Sequence, residues 1–187
     1  MRVIDEPLPG VRLMAPEIHR DGRGFFMESY NRRRLAELGI TDDFVQDNHS
    51  RSQRGVLRGL HYQIRRPQAK LVRATRGRVF DVVVDIRRGS PGFGSWAGFE
   101  LSDDNCHQLY APAGFAHGFL VLSENAEFQY KCSEFYSAAD ERGLPWNDPG
   151  LKIAWPLGGA EPLLSERDRS WRPLAEMAPE DLPEYRP

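Results

Sequence analysis

Cysteine is scarce in this chain: Cys106 and Cys132 are the only two. Two are too few to staple a small domain, so a reducing compartment is expected and no disulfide framework is read. No apolar run approaches the roughly 20 residues that span a bilayer, and Met1 to Asp5 carries no long apolar core of the signal-peptide kind. Charge of one sign is lacking too. Twenty-five Lys and Arg against 27 Asp and Glu leave a net charge of -2, which offers no basic surface to nucleic acid or to an anionic membrane. Internal repeats are absent, and composition shows no break that would separate two units. The expectation is one domain over 1–187, in the cytoplasm.

What the chain does have is punctuation. Seventeen Gly and fourteen Pro suit short strands joined by turns better than a helical bundle. Val79 to Ile86 alternates, with Phe80, Val82, Val84 and Ile86 on one face and Val79, Asp81, Val83 and Asp85 on the other. Further strands are predicted at Val11 to Met14, Lys70 to Thr75, Ala97 to Leu101, Gln108 to Ala111 and Ala126 to Tyr136. One early helix is predicted over Arg32 to Leu38, capped by Asn31 and closed by Gly39. A short helix is expected from Ser165, and the Pro-rich end from Pro173 is expected to be loosely ordered. Many short strands at even spacing predict an all-β barrel or sandwich.

Within this frame, Arg58-Gly59-Leu60-His61 sets a cation and a titratable ring among the apolar Val56, Leu57, Leu60 and Tyr62. An Arg at a strand end and a core His bonded to a carbonyl would explain the pair blandly. A buried Arg with an anionic partner would not be bland. Three residues apart, the two side chains face opposite ways in a regular strand, unless Gly59 admits a bulge.

Pro112-Ala113-Gly114-Phe115-Ala116-His117 resembles the second signature of the cupin barrels. A cupin metal site also needs a His-x-His pair upstream, and here that slot reads His61-Tyr62-Gln63. The ligand count therefore argues against a metal. A strand His without metal suits acid–base work, and it needs a group to fix its tautomer. Asp81, Asp85 and Asp168 are available. Asp168 also ends Ser165-Glu166-Arg167-Asp168, the spacing of a capping box, in which the acid folds back on its own helix start.

Together the motifs closely resemble the dTDP-4-dehydrorhamnose 3,5-epimerase family. The matching text is Asp21 to Glu28, Gln46 to Ser50, Arg58 to Gln63, Pro67 to Val72, Phe80 to Arg87 and Pro112 to Phe119. It continues through Tyr130-Lys131, Tyr136, Trp146 to Pro149 and Leu164 to Asp168, over roughly residues 1–170. The resemblance implies a cupin jelly-roll β-barrel with a few short peripheral helices. It also implies a cofactor-free epimerase that inverts C3 and C5 of a dTDP-4-keto-6-deoxy sugar.

Carried over, His61 is the base, Asp168 its orienter and Tyr130 the acid on the other face. Lys70 and Arg58 are the cations beside a developing enolate oxygen, and His117 shares the pocket. Arg23, Phe26, Glu28, Gln46 and Asn48 meet the nucleotide end, Tyr136 stacks on the base, and Glu141 and Arg167 add polar contacts. Family members are homodimers with exchanged N-terminal strands, so Arg23 and Glu28 are candidates for a neighbour's site. Two departures stand out: Arg167 where the family often has Lys, and His19 where relatives often carry Phe. A 3-only or 5-only epimerase and a catalytically silent dTDP-sugar-binding cupin are the other readings.

Overall fold

The structure, a computed structural model, describes residues 1–185. It begins with four short strands, β1 (Arg2–Asp5), β2 (Arg12–Ala15), β3 (Ile18–Asp21) and β4 (Gly24–Met27), followed by helix α1 (Arg32–Glu37). Next come β5 (Gln46–Gln53), β6 (Leu57–Gln63), β7 (Lys70–Arg76) and β8 (Arg78–Asp85). The last strands are β9 (Trp96–Ser102), β10 (Gln108–Ala111), β11 (Phe115–Val121), β12 (Asn125–Cys132) and β13 (Glu141–Gly143). Short 3-10 turns at Arg167–Arg169, Leu174–Glu176 and Pro179–Asp181 complete it.

Two antiparallel sheets carry the architecture. One runs β1-β2-β10-β7-β12-β5, the other β13-β6-β11-β8-β9, and the β3–β4 hairpin forms a two-stranded sheet of its own. This is the double-sheet, jelly-roll arrangement with few short helices that the resemblance implied.

The alternation of β8 explains how the layers stack. Val79 and Val83 point into a core shared by the two sheets, together with Val72, Leu109, Phe119 and Phe128. Val82, Val84 and Ile86 point the other way, into a second core with Leu120, Leu144, Trp155 and Leu182. The five-stranded sheet is thus covered on both faces. A third cluster beneath α1 buries Met14, Leu35 and Leu71. The helix starts as its sequence requires: Asn31 Oδ1 accepts from the backbone N–H of Arg33 at 3.0 Å and of Arg34 at 3.3 Å. Gly39, at φ +77°, lets the chain leave it.

Two expectations need correction. The strand predicted over Ala126 to Tyr136 ends at Cys132. Beyond it, the Ala69 N–H donates to Ser133 Oγ at 2.8 Å and the Tyr136 N–H to Gln46 Oε1 at 2.9 Å. The Ser133 N–H still reaches the Ala69 carbonyl at 3.0 Å, but from Glu134 on side chains replace the ladder, and strand alternation no longer governs Tyr136. The end from Pro173 is also pinned and not loose within its described part. Leu182 is buried in the second core, Tyr62 Oη donates to the Asp181 carbonyl at 2.8 Å, and Arg142 Nε meets Asp181 Oδ1 at 2.8 Å.

Candidate active site

A cavity of about 720 Å³ opens between the two sheets. His61, Arg58 and His117 line it from β6 and β11, and Lys70, Tyr130, Gln46 and Asn48 from β7, β12 and β5. Tyr136, Glu141, Arg167 and Asp168 close its rim.

Arg58 and His61 share this cavity because β6 bulges. His61 pairs with His117 and Arg58 with Phe119, so three steps on β6 match two on β11. The extra residue turns both side chains to one face. Gly59 permits it at φ +123°, where a Cβ would lie 2.6 Å from Gly118 Cα and 2.8 Å from the His117 carbonyl. Arg58 Nε donates to Ser52 Oγ at 3.1 Å. Its partner is a hydroxyl, where sequence reasoning had asked for an anion.

His61 Nε2 lies 2.6 Å from Asp168 Oδ1. Because an ionised carboxylate only accepts, Nε2 is the donor, and in the neutral ring this leaves the lone pair on Nδ1. The capping box is half made: the Asp168 N–H donates to Ser165 Oγ at 3.1 Å, but the Asp168 carboxylate turns to His61. Trp171 Nε1 donates to the same Oδ1 at 3.4 Å. Burial pushes the Asp168 carboxyl up, yet the bonds from His61, Ser165 and Trp171 prevail and hold it below the usual carboxylate range. The two remaining candidate orienters serve other groups. Asp81 lies 2.9 Å from His117 Nε2, and Asp85 pairs with Arg87 Nη2 at 2.7 Å.

Lys70 is buried, and its Nζ donates to the His61 carbonyl at 3.3 Å. Loss of hydration lowers its ammonium pKa, which Cys132, Glu141 and Asp81 partly restore. Tyr130 projects from the sheet facing His61, and burial pushes its phenol up to about 12. At the rim, Tyr136 Oη donates to Glu141 Oε2 at 2.9 Å, and Arg167 Nη1 bonds both Glu141 and Tyr136. Gln46 Nε2 donates to Asn48 Oδ1 at 3.0 Å.

Three predicted site residues do not reach this cavity within their own chain. Arg23 pairs with Asp21 at 2.6 Å on the exposed β3–β4 hairpin. Phe26, 70% exposed, sits on the same hairpin with His19 stacked 6.4 Å away. Glu28 pairs with Arg34 at 3.2 Å. Short hairpin strands without a covering layer hold Arg23 and Phe26 in solvent, while Glu28, just past the hairpin, is half-buried against α1, where Asn31 Nδ2 also donates to it at 3.0 Å. Among the described residues no three His, Cys, Asp or Glu side chains gather as metal ligands. Sequence reasoning missed Ser52 and Trp171. Ser52 stands at the end of β5, just before the turn into β6, and Trp171 follows Asp168 by three residues, a spacing that would have pointed to it.

The family profile described as dTDP-4-dehydrorhamnose 3,5-epimerase matches residues 5–176. The chain belongs to the dTDP-4-dehydrorhamnose 3,5-epimerase family. A relative of that name from Pseudomonas aeruginosa is 61% identical over 170 residues, covering 90% of this chain and 93% of the relative. The crystal structure of dTDP-6-deoxy-D-glucose-3,5-epimerase from Legionella pneumophila in complex with dTDP-4-keto-L-rhamnose superimposes with a TM-score of 0.96 at 49% identity, covering 100% and 99% of the two chains. A 3'-monoepimerase from Streptomyces bikiniensis in complex with dTDP-quinovose matches with a TM-score of 0.89 at 37% identity, covering 96% and 92%. The family is one of isomerases.

Proposed function

We propose that this chain inverts C3 and C5 of dTDP-4-dehydro-6-deoxy-D-glucose to give dTDP-4-dehydro-L-rhamnose. The observation that carries the reading is a hydrogen-bonded His61–Asp168 pair and a half-buried Tyr130 lining one cavity from opposite sheets. A proton beside the C4 ketone is removed by His61 Nδ1; the C–H electron pair forms a double bond from that carbon to C4, and the C4=O π pair moves onto oxygen, giving the enolate. Lys70 and Arg58 stand by as cations for that oxygen. Tyr130 Oη returns a proton to the opposite face, which inverts the carbon, and His61⁺ is stabilised by Asp168 until it releases its proton. Once His61⁺ has lost its proton to solvent and the Tyr130 phenolate has taken one back, the sequence is repeated at the second carbon.

Gln46, Asn48, Tyr136, Glu141 and Arg167 line the cavity or its rim, where a nucleotide would lie. Tyr136 offers the base a ring, and Arg167 offers the diphosphate a guanidinium. In this reading a second copy of the chain delivers Arg23, Phe26 and Glu28, with N-terminal strands exchanged in a cytoplasmic homodimer. Each copy folds as one domain over 1–187.

Incubation with the substrate in D₂O, followed by NMR at C3 and C5, tests this. Deuterium at both carbons, lost in His61→Ala and in Tyr130→Phe, is the expected result. Full activity in His61→Ala would remove the base. Label at a single carbon would indicate the single inversion for which the Streptomyces neighbour is described, and tight dTDP-sugar binding without label would leave a binding module.

A further inference from the structure

Asp168 Oδ1 accepts from two sides: His61 Nε2 at 2.6 Å and Trp171 Nε1 at 3.4 Å. The indole also meets the His61 ring edge-on, with centroids 6.2 Å apart and planes at 69°. From below it is seated on Gly143, whose Cβ, if present, would lie 2.5 Å from Trp171 Cε2 and 2.6 Å from Nε1. Gly143 is the β13 residue paired with His61 itself. Trp171 does not line the cavity, so it touches the carboxylate and the ring but is placed to miss the substrate.

We propose that Trp171 is a positioning residue: its N–H and ring edge hold the Asp168 carboxylate and the His61 imidazole in the geometry the base needs. This rests on His61 acting as the base. The N–H shares the negative charge of Oδ1, so less is left to hold a proton on His61. The ring edge limits rotation of the imidazole about its side-chain bonds. The charged and titratable groups around His61 are Asp168 with Arg167 beside it, Lys70 from β7, Tyr130 from β12, Arg58 on its own strand, His117 with Asp81 behind it, and Glu141 on β13. None of these changes when Trp171 is replaced, so the effect can be read against a fixed background.

Trp171→Phe keeps an aromatic ring and removes the N–H. The expected result is a several-fold lower kcat with KM unchanged. The acid limb of kcat should also move to higher pH, as a carboxylate with one donor fewer holds the His61 proton more firmly. An NMR titration of the His61 ring in the folded variant should show the same displacement. In an Asp168→Asn background, Trp171→Phe should cost nothing further, since the N–H acts through that carboxylate. An unmoved limb and ring titration, or losses that multiply in the double variant, would overturn the role. If Trp171→Phe is silent while His61→Ala abolishes exchange, this inference falls alone. If His61→Ala is active, the function proposed above falls first.

Discussion

His61 and His117 are paired across the β6–β11 ladder, yet each ring is held by a different carboxylate. Asp168 takes His61 at 2.6 Å, from a 3-10 turn 107 residues further along the chain, and Asp81 takes His117 at 2.9 Å, from the neighbouring strand β8. His117 and Asp81 are both buried, whereas the His61 side chain keeps 21% of its surface open. Both rings line the cavity, but the His117–Asp81 pair is enclosed and the His61 ring is the more open of the two.

The alkaline limb of activity is expected to belong to Lys70. Burial lowers its pKa, so the ammonium loses its proton below the ordinary lysine range, while Tyr130 keeps its acidic proton up to about 12. Activity should therefore fall as pH rises through the Lys70 value, before Tyr130 ionises. Asp81 supports the charged form of Lys70, so Asp81→Asn should move the limb to lower pH. A kcat profile from pH 7 to about 11 checks this. A limb that stays put in Asp81→Asn would contradict the assignment.

Gly59→Ala should be strongly destabilising. A Cβ there would press on backbone at 2.6 and 2.8 Å, and φ +123° disfavours any L side chain. Overpacking and backbone strain together cost roughly 3 kcal/mol. Urea unfolding measures it, and a loss below about 1 kcal/mol would mean that the bulge relaxes freely.

How far the site was legible depends on the range of the forces that build it. The two faces of β8 followed from alternation, and α1 from Asn31 and Gly39, because period and capping act within a few residues. The spacing rule that places Arg58 and His61 on opposite faces failed at an extra residue, though Gly59 marked the spot. Asp168 was ambiguous in sequence because Ser165 satisfies its backbone locally, while the carboxylate answers to a histidine on another element. Tyr136 reached the pocket without the strand that was expected to carry it there. Arg23 and Phe26 carry no local sign of the solvent-facing positions they occupy in a single chain, nor Glu28 of its place against α1.

Acid stability should report Asp85. Burial pushes its carboxyl up, but Arg87 and Ser90 outweigh that and hold it below the usual range. Since the folded pKa is the lower one, the stabilisation is present above about 4 and is lost as pH falls through the folded value. Asp85→Asn should cost roughly 3 kcal/mol at neutral pH, because it leaves the Arg87 guanidinium, 11% exposed, without its carboxylate. Thermal unfolding followed from pH 7 down to about 2 should show the two melting curves converging. Parallel curves would assign the acid sensitivity to another group.

Phe119 on β11 and Phe128 on β12 stack 4.2 Å apart, one from each sheet, at the floor of the cavity. They act as a spacer between two plates. The proposed base is mounted on one plate and the proposed acid on the other, so the span between them is a thickness of packed rings and not a distance along the chain. Which faces of a sugar ring can be reached from both sides is then a property of the filling of the sandwich, and the hydrophobic core doubles as the gauge of the chemistry.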